Sequence, residues 1–188
     1  MKKTLRQQIE AFQPFNEQEE SDKRLILQYM DTFPDLLTRE NGMAHFTASC
    51  WITNRDQTKV LMAYHNLYKS WAWLGGHADG ESDLLAVALR EAQEESGVED
   101  ARPYSKEILS LEILGVDAHQ KRGKHISAHL HLNLTYALWA DDTRPVRAKP
   151  DENSAVRWIE TGHVLNAVSE PEMRVVYRKL MDKIALYY

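Results

Sequence analysis

The sequence predicts an α/β domain with a mixed β-sheet, helices around it, and short helices at its N-terminus. Three observations carry this reading. β-rich stretches separated by turn residues recur through the middle of the chain. A helical pattern over 83–96 stops at a glycine, and an amphipathic helix with Pro171 in its first turn closes the sequence.

Residues 1–40 are polar, with Leu5, Ile9 and Phe12 at helical spacing, followed by Leu25, Ile26, Tyr29 and Met30. Pro14 and Pro34 divide this region into two short helices, and Asn41-Gly42 marks a turn. The stretches 45–53 and 58–64 are β-rich, and the turn Asn54-Arg55-Asp56-Gln57 between them predicts a hairpin. Trp71 to Leu74 forms a short apolar strand that enters the glycine-rich loop Gly75-Gly76-His77-Ala78-Asp79-Gly80. Ser82 is the expected N-cap of the helix, and Gly97 its C′ residue. Strands follow near 107–117 and 126–140, joined by the basic turn Lys121-Arg122-Gly123-Lys124, with a further strand at 156–159. Met173, Val176, Leu180 and Ile184 form the apolar face of the last helix.

Composition limits the function classes. With 188 residues, 43% hydrophobic and 27% charged, the chain fits one domain with a sizeable core. A single cysteine, Cys50, excludes a disulfide scaffold and reads as a buried thiol. No apolar segment has the length to span a bilayer. Met1-Lys2-Lys3 is followed by the polar run Arg6-Gln7-Gln8-Ile9-Glu10 where a signal peptide needs an apolar core, so the cytoplasm is the expected compartment. A net charge of −5 argues against DNA as a partner.

That charge is concentrated. Between Asp79 and Asp100 stand eight acidic residues and one arginine, net −7, so the remainder of the chain carries +2. Within the helix, Leu85, Ala88, Leu89 and Ala92 form an apolar stripe, and Glu91, Glu94 and Glu95 fall together to one side of it. Like charges at these spacings cost about 0.2–0.5 kcal/mol per pair. The cluster also occupies the last turn, where the helix dipole disfavours anions. Two chemistries fit: a solvated acidic face eased by Arg90 four residues before Glu94, or a site for a hard divalent cation such as Mg²⁺. A glycine-rich loop running into the helix offers N–H groups to an anion, and beside carboxylates it suits a metal-bound diphosphate.

These residues resemble the Nudix hydrolase signature, G-x5-E-x7-R-E-U-x-E-E-x-G-U, where U is a bulky aliphatic residue. From Gly76, the residues Arg90, Glu91, Glu94, Glu95, Gly97 and Val98 fall in register, with Ala92 small for its slot. The first signature glutamate falls at Ser82, and Glu81 stands one residue early. The resemblance implies a Nudix-type α/β/α sandwich over 41–188, with 1–40 as a helical extension outside it. It also implies hydrolysis of a diphosphate linkage in a nucleoside diphosphate derivative or related small molecule. Mg²⁺ or Mn²⁺ would bind through Glu91, Glu94 and Glu95, with Arg90 holding a glutamate in position. Glu152, six residues before Trp158, resembles the distant catalytic carboxylate of the family, and is equally readable as part of a plain acidic turn.

His129 and His131 alternate with leucines and share a strand face with Ser127 and Asn133, which either lines the substrate cleft or is the wetter side of the sheet. As a zinc pair they lack a cysteine or a clear third ligand, so a zinc site is not expected here. His77 beside Gly75-Gly76 is placed to touch phosphate. Lys121, Arg122 and Lys124 read as a solvated hairpin tip, and Tyr64, Tyr68, Trp71 and Trp73 as core aromatics, one of which could stack on a base. Two other functions remain open. An enzyme similar to isopentenyl-diphosphate isomerase would need a cysteine where Gly75 stands, and a non-catalytic nucleotide sensor would not need the three glutamates. The N-terminal helices could contribute to a homodimer.

Overall fold

The computed structural model describes residues 3–121 and 123–188. Two helices come first, α1 (Leu5–Ala11) and α2 (Glu17–Thr32). Thr4 closes a capping box with Gln7, and Asn16 caps α2 through the amide of Glu19. The proline breaks fall where expected, although α2 runs to 16 residues. Both helices pack into the main core through Ile9, Phe12 and Ile26.

The sheet is built on β1 (Ala44–Thr53), which is buried along its whole length. Its parallel partner is β9 (His129–Trp139), in register from Ala44 opposite Leu130 to Thr53 opposite Trp139. The expected hairpin is largely absent: β1 meets β2 (Lys59–His65) only where Thr53 faces Val60. The chain diverges there because the rest of β1's other edge is taken by β4 (Leu74–His77), antiparallel, with Ser49 opposite Gly75 and Thr47 opposite His77. The Trp71–Leu74 segment therefore splits into β3 (Ser70–Ala72), which pairs with β2, and β4, which pairs with β1. Gly75, Gly76 and His77 lie in a strand, not in the loop expected for them.

After α3 (Leu84–Ser96), the short β5 (Arg102–Pro103) and then β6 (Ser110–Val116) add antiparallel to β9. A separate two-stranded ribbon, β7 (His119–Lys121) with β8 (Lys124–Ile126), carries the basic turn; Arg122 lies outside the described residues, and Lys124 is exposed. β10 (Asn153–Glu160) pairs with β2 at the opposite edge. A 3₁₀ turn at Thr161–His163, the single turn α4 (Val164–Ala167) and α5 (Pro171–Tyr187) complete the fold.

Two cores result. One lies between α1, α2, α3 and the sheet face bearing Phe46, Ala48, Leu132 and Leu134. The other joins α5 (Tyr177, Leu180 and Ile184) to Trp51, Met62 and Ala137. Each fully buried leucine or valine in them contributes about 1.5–3 kcal/mol relative to exposure.

On the face of β1 and β9 opposite the first core, the residues preceding Trp51 and Ala137 are polar. Thr47 and Ser49 hydroxyls donate to Asn133 Oδ1 at 3.0 and 2.8 Å, and Asn133 Nδ2 donates to Glu112 at 3.3 Å. Glu112 and Glu19 share the Ser110 hydroxyl, and Lys179 and Lys183 of α5 close the network with ammonium contacts of 2.7–2.8 Å. Every member is paired, as burial of charge requires.

Candidate active site

The α3 helix is capped by Asp83, whose side chain accepts from the Ala86 amide, rather than by Ser82. Glu81, displaced from its signature position, accepts the Asp83 amide at 2.7 Å. Glu81 thus braces the loop that starts the helix. At the other end Gly97 adopts the left-handed conformation (φ 70°), and its amide closes on Gln93.

The buried stripe of α3 is Leu84, Val87, Ala88, Ala92 and Glu95, one position round from the stripe expected; Leu85 and Leu89 are only half-buried. Glu95 consequently sits on the buried face rather than beside it, with 8% of its surface exposed. The Gly75 amide donates to its Oε2 at 3.0 Å. Burial pushes its carboxyl up to about 8, the Gly75 hydrogen bond opposes this, and the charges of Glu91 and Glu152 add to it. Burial likewise raises Glu91. Glu91 rests against Gly76: a Cβ there would stand 2.4 Å from its carboxyl carbon. Glycine is required at this position by close approach, not by backbone conformation.

Two cationic side chains stand among the carboxylates. Arg90 reaches Glu91 at 3.0 Å and Glu94 at 3.8 Å, and its guanidinium also points at the His77 carbonyl. Lys149, which the sequence reading passed over, reaches Glu94 at 3.5 Å and Glu152 at 2.9 Å. Glu152 therefore joins the Glu91–Glu94–Glu95 cluster across about 60 residues of chain, anchored by its neighbour Asn153, which donates to the Glu95 carbonyl at 3.1 Å. Lysine was hard to find because no spacing rule ties a lone cation to carboxylates on another element.

His77, His129 and His131 meet on the polar face, joined by His45 from β1, which the sequence reading also missed. The four rings lie within 4.9–5.2 Å of one another, centroid to centroid, for every pair but His77–His129. Among the described residues, the His, Cys, Asp and Glu set whose ligand atoms all fall within 4.8 Å of one another is His45, His77 and His131. Burial, followed by the neighbouring imidazoles, lowers His131 to about 2. Burial also lowers His45.

The remaining candidates are structural. Cys50 is buried with its thiol donating to the Leu74 carbonyl, and burial raises its pKa. It faces Leu74 across the ladder, and Gly75 stands where an isomerase of this kind would need its cysteine. Trp73 and Tyr64 make edge-to-face contacts with Tyr177 and Trp71, and Arg157 covers the Trp71 ring at 4.3 Å. Tyr68 is more open, at 45% exposure. No helix among the described residues is long and apolar enough to cross a membrane.

Solved structures share this curled mixed sheet with its flanking helices. An Ap4A hydrolase from C. elegans aligns with a TM-score of 0.56 at 18% identity over 76% of this chain and 98% of its own. A NUDIX-family hydrolase from Clostridium perfringens aligns at 0.53 and 20% identity over 74% and 97%. These likenesses show the fold class, a curled mixed sheet between flanking helices. The NUDIX domain family matches residues 43–181, and the chain belongs to that family of hydrolases. A search of curated proteins finds no match.

Proposed function

We propose that the protein hydrolyses the diphosphate linkage of a nucleoside diphosphate derivative or a related small molecule, using Mg²⁺ or Mn²⁺. The observation that carries this reading is the four-carboxylate cluster of Glu91, Glu94, Glu95 and Glu152. Burial and mutual repulsion raise Glu91 and Glu95, while Lys149 and Arg90 are drawn in between the members. An all-oxygen donor set that already attracts cations suits a hard divalent ion. Glu91, Glu94 and Glu95 would hold the ion, which would neutralise phosphate charge and acidify a water.

The chain's own groups have separate tasks. Gly76 admits the Glu91 carboxylate against β4, and the Gly75 amide fixes Glu95. Gly75 and Gly76 therefore serve the carboxylates in this reading. Arg90 orients Glu91 and Glu94. Glu152 lies beside the cluster in position to take a proton from water. His77, His129 and His131, gathered on the polar face of the sheet, are the groups this reading gives to the substrate. Residues 41–188 form the catalytic unit in this reading, and residues 1–40 an extension docked on it.

A screen of diphosphate substrates with Mg²⁺ and Mn²⁺ tests the proposal. Metal-dependent hydrolysis is expected, falling at least about 10²-fold in Glu94→Gln and Glu95→Gln with the circular dichroism spectrum unchanged. Equal turnover in both variants would refute it.

A further inference from the structure

We propose that His45, His77 and His131 form a second metal centre, distinct from the carboxylate cluster, that takes a transition-metal dication of the Zn²⁺ type. The inference is independent of the diphosphate reading and rests on three strands meeting. His45 stands on β1 opposite His131 of β9, and Thr47, two residues on, stands opposite His77 of β4. Register therefore brings three imidazoles to one face, and their ligand atoms already lie within 4.8 Å of one another. A tetrahedral ion with Zn–N bonds of about 2.0–2.1 Å needs ligand nitrogens about 3.3 Å apart, a closure that side-chain rotation supplies. His129 Nε2, 3.2 Å from His131 Nε2, is the next donor in line.

His45 points to a ligand most directly. Its Nδ1 lies 3.1 Å from the Asn41 carbonyl; a carbonyl only accepts, so Nδ1 carries the proton and Nε2 a lone pair. Among the described residues, that Nε2 is buried without a hydrogen-bond partner, in a residue only 4% exposed. A buried acceptor left unpaired is destabilising, and a bound cation relieves it. A proton on one ring nitrogen held by a backbone carbonyl, with the other nitrogen bare, is the arrangement that orients a histidine onto a metal. His129 has the same build, with Nδ1 2.9 Å from the Ser127 carbonyl.

The donor sets separate the two centres by chemistry. Imidazole nitrogen suits Zn²⁺, Co²⁺, Ni²⁺ or Cu²⁺, whereas Mg²⁺ prefers carboxylate oxygen. Strand β4 divides them: Gly76 abuts Glu91 on one face, and the next residue, His77, alternates to the other. Three protein ligands leave a fourth position for water, His129 or a substrate anion.

The test is a Co²⁺ titration of the full chain in excess Mg²⁺. We expect one equivalent to bind with the strong visible bands of a four- or five-coordinate ion. Binding should weaken about 10²-fold or more in His77→Gln and His131→Gln, and persist in Glu94→Gln. Zinc-edge X-ray absorption on the unmodified protein, which needs no variant to fold, should show imidazole shells. An oxygen-only shell, or Co²⁺ bands lost in Glu94→Gln but kept in both histidine variants, overturns the proposal.

Discussion

The backbone amide of Gly75 donates to Oε2 of Glu95 at 3.0 Å, tying β4 to the last turn of α3. Two unfavourable placements meet in this bond. Glu95 is a carboxyl at the negative end of a helix and on its buried face, so its ionised form carries both a dipole and a desolvation cost. The amide offsets part of that cost, and the nearby Arg90 and Lys149 act on neighbouring carboxylates. A helix that serves only packing would place an apolar residue at this position.

The two glycines of β4 should respond differently to alanine. At Gly76 the three nearest atoms a Cβ would meet all belong to the Glu91 carboxylate, and that side chain can swing away. We expect Gly76→Ala to keep its melting temperature within a few degrees and to lose about tenfold or more in Mg²⁺ affinity. At Gly75 a Cβ meets the Ala48 carbonyl at 2.6 Å and Ser49 Cα at 2.8 Å, so β1 itself must shift. Gly75→Ala should cost about 1–3 kcal/mol in stability. Thermal denaturation and Mg²⁺ titration of both variants check the contrast, and wild-type metal affinity in Gly76→Ala would contradict it.

Glu152 provides a separate check on the chemistry. It is 37% exposed and paired with Lys149 at 2.9 Å, an arrangement that contributes little to folding. Glu152→Gln should therefore leave stability within about 1 kcal/mol. If Glu152 takes a proton from water, kcat falls about 10²-fold while KM stays near its original value. Steady-state kinetics separate these outcomes: a rise in KM alone would make Glu152 a binding group.

The sequence revealed most where chemistry is packed into one helix. Glu91, Glu94 and Glu95 were legible because their spacing violates two electrostatic preferences at once, and Arg90 and Gly97 fell in register with them. What escaped was long-range. His45 looks like an ordinary strand residue until the parallel ladder sets it opposite His131. Lys149 becomes informative only when Glu94 and Glu152 converge on it. Gly75 and Gly76 suggested a loop because glycine disfavours strands, yet the close approach of Glu91 and Ser49 makes glycine the residue that fits this strand. The boundary error at Ser82 is a local one: Asp83 competes as a cap, and its side chain takes the Ala86 amide.

The buried network at Glu19 predicts an acid-sensitive contact between the N-terminal helices and α5. Burial pushes the Glu19 carboxyl up, but Lys179, Lys183 and the Ser110 hydroxyl together outweigh burial and hold it below its ordinary value. Lys183 is lowered by its own burial despite Glu19, so the ionised carboxylate is the member that the fold favours most. A carboxylate with a depressed folded pKa stabilises fully above its unfolded pKa of about 4.5, and that contribution fades as pH falls through the folded value. At neutral pH, Glu19→Gln leaves the Lys183 side chain, 1% exposed, without its closest counter-charge, and should cost about 3–5 kcal/mol. Denaturant unfolding of both proteins at pH 7 and near pH 3 measures the gap. It should narrow in acid, because the wild type loses the ionised carboxylate while glutamine has none to lose. An equal gap at both pH values would assign the stabilisation to packing instead of charge.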